Sequence, residues 1–123
     1  MLKVKTYVAP SNIDNLGLFA GEDIQNGTLI WEFTEGFDKI LPMSEFEKLH
    51  PVEKEYIWHT SSIHNGKLML YFDNTTFTNH SYMPNTSNDE TGLKGYAIKN
   101  IKKNEELTQD YRELIENVPY NFK

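Results

Sequence analysis

Two short polar segments near the end of a 123-residue chain carry side chains that could do chemistry together. The first is Asn79-His80-Ser81-Tyr82-Met83-Pro84-Asn85. The second, Glu105-Glu106-Leu107-Thr108-Gln109-Asp110-Tyr111, follows about twenty residues later. An amide and an imidazole both donate and accept, so Asn79 and His80 can each hold a ligand with side chain and main chain. A tyrosine hydroxyl such as that of Tyr111 can orient a nucleophile without ionising, because its reference pKa is about 10. Earlier in the chain, Asn15-Leu16-Gly17-Leu18-Phe19-Ala20 holds a glycine that lets backbone approach a ligand closely. Asn15 is the residue type that best tolerates positive φ after glycine. Each piece alone has a plain structural explanation: a β-turn, a core histidine, a core aromatic with its hydroxyl paired. Their order and spacing do not.

Taken together, the three segments resemble the signature segments of the SET domain, the protein-lysine methyltransferase family. The resemblance runs from about residue 4 to residue 111, and the absence of cysteine makes it similar to minimal forms without zinc-binding flanking modules. It implies a fold of small curved sheets, β-clip-like, with a C-terminal pseudoknot in which the Asn-His-Ser and Asp-Tyr segments thread past each other. It implies S-adenosyl-L-methionine as cofactor, held by Asn15, Leu16, Gly17, Asn79 and His80, and by Tyr56 from the helical insert. It implies Tyr111 as the catalytic residue, and Trp58 and Gln109 as walls of the substrate pocket. Lysine, with a reference pKa of about 10.4, must lose a proton before attack, and burial beside a sulfonium charge favours that loss.

Several positions depart from the family pattern. Asn15 stands where the first glycine of a Gly-x-Gly triplet is usual, and Asn104 replaces a frequent glycine, which suggests left-handed turns at both. Tyr82 stands where cysteine is common. Gln109 replaces a Phe or Tyr that helps decide how many methyl groups fit. Its amide is expected to bond the amine and favour mono- or dimethyl product, or else to open the pocket. Asn85 is expected to lock the pseudoknot by hydrogen bonds to backbone. Tyr120 and Phe122 are candidates for a lid over the cofactor, or simply tail.

His50, His59 and His64 have no spacing that makes a metal site, and a chain without cysteine has neither disulfides nor a thiolate zinc site. No Ser-His-acid order, phosphate loop or basic stripe stands out. With a formal net charge of −6, nucleic acid is a poor partner and a basic protein or peptide, such as a histone tail, a better one. No apolar run approaches a membrane span and no signal peptide opens the chain, so the expectation is an intracellular soluble protein without membrane contact. A homodimer that completes the substrate groove is conceivable.

The elements that must position these residues are mostly short strands, expected in one domain over 1–123. Leu2, Val4, Thr6 and Val8 alternate with polar neighbours, as in a half-buried strand. Residues 10–15 read as a loop; residues 16–22, 28–33, 67–72, 94–98 and 107–109 read as strands. Asn26-Gly27 and Asn65-Gly66 are hairpin turn signals. Ser44-Glu45-Phe46-Glu47 has the pattern of a capping box and opens a helical insert over about 43–60, with Pro51 ending the first turn or starting a second helix. The result is a mainly β domain with a small helical insert and a tail over 112–123. A catalytically silent SET-like module that binds the cofactor or a basic peptide is the main alternative; a β-rich interaction module without cofactor is another.

Overall fold

The computed structural model describes residues 1–113. Its strands are β1 (Thr6–Pro10), β2 (Leu16–Ala20), β3 (Leu29–Glu32), β4 (Lys39–Pro42), β5 (Ser61–His64), β6 (Lys67–Leu70), β7 (Asn79–His80), β8 (Thr86–Asn88), β9 (Lys94–Ala97) and β10 (Thr108–Gln109). Two helices, α1 (Met43–Phe46) and α2 (Pro51–Thr60), form the insert. The mainly β architecture with a small helical insert therefore stands. The expected tail beyond residue 113, with Tyr120 and Phe122, lies outside the described residues.

The strands form four small sheets: β1–β2, β3–β9–β8, β4–β6–β5 and the parallel pair β7–β10. The β5–β6 hairpin turns on Asn65 and Gly66, at φ 52° and 71°. Positive φ at both central residues is what a tight right-twisted hairpin demands. The other Asn-Gly pair, Asn26-Gly27, makes a turn and no hairpin: only Gly27 has positive φ, at 88°, and the flanking strands pair elsewhere, β2 with β1 and β3 with β9. Leu18, Ala20, Ile24, Ile30, Trp31, Met69, Ala97, Ile101 and Leu107 make the main core, with Leu2, Val4 and Val8 packed against it. A second cluster, Phe46, Ile63 and Leu68 with Trp58 and Ile57 beside it, seats the insert on the β4–β6–β5 sheet.

The differences from expectation have local causes. The alternation from Leu2 to Val8 does pick the inward side chains, yet the strand begins only at Thr6. The first residues peel away to pair with β3, through the Leu2–Trp31 bridge and Lys3 N–H donating to the Ile30 carbonyl at 2.7 Å. Ser44 caps nothing: α1 starts at Met43 after Pro42 without a side-chain cap. The capping box sits instead at α2, where the Glu53 carboxylate accepts from His50 N–H at 2.9 Å and His50 Nδ1 accepts from Val52 N–H at 3.2 Å. Pro51 occupies the first turn, where its missing N–H costs nothing.

The C-terminal segment is buried between two parts of the chain that precede it. On one side Ala20 N–H donates to the Glu105 carbonyl at 2.9 Å and Leu107 N–H to the Leu18 carbonyl at 2.8 Å. On the other, Thr108 and Gln109 lie parallel to Asn79 and His80. Asn85 then closes the crossing, as expected: its Nδ2 donates to the Glu106 carbonyl at 2.8 Å and its Oδ1 accepts from Thr108 N–H at 2.8 Å. Thr86 adds a hydroxyl bond to the Thr108 carbonyl at 2.7 Å. This crossing carries His80 and Tyr111 to the same place. Among the described residues, no helix is long and apolar enough to cross a membrane.

Candidate active site

The parallel pairing of β7 with β10 sets His80 beside Gln109, so the two motifs meet over one peptide unit. His80 Nδ1 accepts the backbone N–H of Tyr111 at 3.0 Å. An accepting Nδ1 places the ring proton on Nε2, and that buried N–H has no partner among the described residues. The His80 ring meets Tyr82 edge-on at 4.3 Å and lies 5.3 Å from the Tyr111 ring. Tyr82 itself is exposed, with the Arg112 guanidinium 5.0 Å from its ring. Arg112 also grips Asp110, and its hydrogen bonds hold that carboxyl down to about 2.

Tyr111 donates its hydroxyl to the Thr78 carbonyl at 2.7 Å, which leaves the oxygen lone pairs for another group. Burial raises its pKa, and Asp14 and Glu106 raise it further, so the group stays a phenol at neutral pH. Thr78 is not the only tether: the preceding residue, Asp110, and the following short 3-10 turn fix the backbone on either side.

Asn79 is buried, and its Nδ2 fastens the turn that precedes β2. It lies 3.2 Å from Ser11 Oγ, 3.2 Å from the Asp14 carbonyl, 3.1 Å from the Leu16 carbonyl and 2.9 Å from Glu106 Oε2. Asn15 takes the left-handed conformation expected of it, at φ 33°, and Asn104 does likewise at φ 76°. Gly17 does not have positive φ; it is glycine for another reason. A Cβ there would overlap the Glu106 carboxylate, with Cδ only 2.8 Å away. Leu16 is exposed beside it. Asn15, Leu16, Gly17, Asn79, His80 and Tyr111 are thus brought together.

Tyr111 also lines a cavity of about 200 Å³, and Trp58, Ser62, Tyr71, Thr78 and Gln109 share its walls. Gln109 is buried, and its Nε2 has no partner among the described residues. Tyr56 is the exception among the expected site residues. It is 68% exposed on α2 and lines no part of this cavity. Two residues of helix turn the chain by roughly 200°, so with Trp58 facing the cavity Tyr56 must face outward. The sequence reading missed Glu106, Ser11, Ser62 and Tyr71. Glu106 belongs to a recognised segment and could have been found; Ser62 and Tyr71 have no flanking pattern.

The donors present fit the cofactor that the resemblance implies. A buried, unpaired N–H at His80 suits a nitrogen or oxygen acceptor. Among the described residues the Glu106 carboxylate is bonded to the neutral groups Ser11 and Asn79, which leaves its negative charge to suit a cationic ligand. Among the described residues, no cluster of His, Asp and Glu could hold a metal ion.

The fold is thus mainly β and closed by this crossing, with the Asn79-His80 pair of β7 against β10 and Tyr111 just beyond that strand. The SET domain family model matches residues 15–112, and the chain belongs to the SET domain family. It is 30% identical over 86% of its length to the variant-silencing SET domain-containing protein of Plasmodium falciparum, and 32% identical over 85% to the H3 lysine-4 specific histone-lysine N-methyltransferase of Chaetomium globosum. It spans 4% and 10% of the length of those relatives. In fold it is similar to a chain of the Chaetomium thermophilum Polycomb repressive complex 2, solved in an autoinhibited conformation bound to S-adenosylmethionine. The TM-score is 0.69 at 22% identity, over 95% of this chain and 16% of that one.

Proposed function

We propose that this SET domain transfers a methyl group from S-adenosyl-L-methionine to the side-chain amine of a protein lysine, with a basic protein or peptide such as a histone tail as substrate. The observation that carries the proposal is that Tyr111 joins the two motifs: its backbone N–H donates to His80 Nδ1, and its ring lines the cavity that Trp58 and Gln109 also wall. Bound beside His80 and Asn79, the cofactor would supply a methyl group made electrophilic by its sulfonium.

The protein's part is positioning and exclusion of water. Asn79 pins the 11–16 turn, and His80 offers its Nε2–H. Tyr111, with its own proton committed to Thr78, presents lone pairs that can orient an amine N–H and face a partly positive methyl. In the balanced reaction one carbon–sulfur bond breaks and one carbon–nitrogen bond forms. The amine loses one proton to solvent. The net charge of −6 favours encounter with a basic substrate.

A SET-like module that binds but does not transfer is the second reading, supported by the amide of Gln109 in place of the family's aromatic ring. Incubating the protein with methyl-labelled cofactor and a panel of basic proteins separates the two. Label on lysine supports transfer. Cofactor binding by calorimetry with no label on any protein supports the silent module, and no binding of S-adenosylhomocysteine at micromolar concentrations overturns transfer and the cofactor-binding form of the silent module.

A further inference from the structure

Arg112 covers both oxygens of the Asp110 carboxylate. Its Nε lies 2.9 Å from Oδ1 and 3.0 Å from Oδ2, its Nη2 donates to Oδ2, and its backbone N–H donates to Oδ1 at 3.0 Å. The guanidinium also sits over the Tyr82 ring, which meets the His80 ring edge-on. The Arg112 side chain is exposed and the Asp110 side chain nearly buried, so the arginine reaches in from the surface to a carboxylate behind it. That same carboxylate stands beside the imidazole: Asp110 Oδ1 is 4.0 Å from His80 Nδ1. The separation is longer than a hydrogen bond, and a small side-chain rotation would close it.

A neutral imidazole has two forms, and the partner of one ring nitrogen decides which nitrogen carries the proton. Two candidates compete for His80 Nδ1. The backbone N–H of Tyr111 donates to it at 3.0 Å, which puts the ring proton on Nε2. A free Asp110 carboxylate would instead accept from an Nδ1–H, which would turn Nε2 from a donor into an acceptor. A hydrogen bond to a charged group is roughly twice as strong as one between neutral groups, so an unoccupied carboxylate would win over the Tyr111 amide. Arg112 removes that competitor by engaging both oxygens.

We infer that Arg112 is a positioning residue for the cofactor site: by occupying the Asp110 carboxylate it keeps the His80 proton on Nε2, where the ring can donate to the bound cofactor. The residue touches neither cofactor nor substrate in this role; it acts through Asp110 on His80. The buried Nε2–H, with no partner among the described residues, is the group whose character it sets. The consequence for binding rests on the cofactor reading given above, but the tautomer itself is read on the protein without any ligand.

The test uses the full chain and the imidazole nitrogen resonances, read by long-range nitrogen–proton NMR at about pH 8.5, roughly two units above the ordinary histidine pKa of about 6.5. His80 is assigned among the four histidines by the signal lost in His80→Gln. Wild type should show the proton on Nε2. In Arg112→Met, which keeps an apolar stem over Tyr82 and removes every side-chain donor to Asp110, the Nδ1–H form should dominate. Asp110→Ala/Arg112→Met, with no carboxylate left to compete, should return to Nε2–H. Arg112→Lys, whose ammonium leaves one oxygen free, should show Nδ1–H in part, and it decides the matter if Arg112→Met fails to fold. Affinity for S-adenosylhomocysteine by calorimetry should fall roughly threefold to tenfold in Arg112→Met, the scale of one lost hydrogen bond, and recover to within about twofold in the double variant. Nδ1–H in wild type, Nε2–H retained in Arg112→Met and Arg112→Lys, or Nδ1–H persisting in the double variant would each overturn the inference. So would a changed tautomer that leaves affinity unaltered. Failure of wild type to bind S-adenosylhomocysteine at all would count against the cofactor reading, while the tautomers would still decide whether Arg112 controls His80.

Discussion

Asn85→Ala tests whether the crossing of the two motifs is a structural lock. The substitution removes a donor from the Glu106 carbonyl and an acceptor from Thr108 N–H, both at 2.8 Å. The Thr108 amide is the costlier loss, since the residue is 8% exposed and water cannot replace the amide oxygen there. An unpaired buried donor costs about 1–3 kcal/mol, and the half-buried Glu106 carbonyl about 1 kcal/mol more. The backbone bond from Asn85 N–H to Thr108 Oγ1 does not depend on the side chain and should survive. The expected loss is therefore about 2–4 kcal/mol out of the roughly 5–15 kcal/mol typical of a domain. For a chain of this size that corresponds to a fall in Tm of about 10 °C. Thermal unfolding and urea titration measure it, with Asn12→Ala, at an exposed loop position, as the surface control. If Asn85→Ala stays within about 0.5 kcal/mol of wild type, as a surface change would, the lock is not what holds the crossing.

Four further outcomes follow from the site. Tyr111→Phe should lower turnover by roughly 10²–10³-fold while affinity for S-adenosylhomocysteine changes little. Its loss of stability should be only about 1 kcal/mol from the unpaired Thr78 carbonyl, and turnover within threefold of wild type would remove Tyr111 from the chemistry. Methylation should rise with pH across about 7–9 as lysine deprotonates, with no fall from Tyr111 ionisation in that range, because burial raises that phenol above its ordinary 10.0. Gly17→Ala should cost about 1–3 kcal/mol by displacing Glu106 from Ser11 and Asn79. In Gly17→Ala/Glu106→Ala the two losses should be less than additive, and strict additivity would show that the contact is not the cause. Finally, Arg112 hydrogen bonds depress the Asp110 carboxyl from 3.8 to about 2, so their stabilisation is present above 3.8 and is lost as pH falls through 2. The stability difference between wild type and Arg112→Gln should be constant above about pH 5 and vanish toward pH 2; a difference that persists at pH 2 would point to packing against Tyr82 instead.

The amino-acid sequence by itself determined the family and named most residues of the candidate site, because those depend on residue types in a fixed local order. Gly17, Asn79, His80, Gln109 and Tyr111 were legible in that way, as were the Asn65-Gly66 hairpin and the left-handed Asn15 and Asn104, where φ is a property of the residue itself. Strands such as β4, β5, β7 and β8 were not legible: they are short and mostly polar, and each exists because a partner distant in sequence supplies its hydrogen bonds. The helical insert was placed but its cap was misread, because His50 at the head of α2 competes with the better-known Ser44 pattern. Only tertiary structure decided which way the insert's aromatics point, sending Trp58 to the cavity and Tyr56 outward. It also decided what crowds Gly17, since the Glu106 carboxylate that a Cβ would displace arrives from the other end of the chain. The hydrogen bond between the Tyr71 and Ser62 hydroxyls is of the same kind: neither residue carries a local signal, and the β5–β6 hairpin and Trp31 hold the two together.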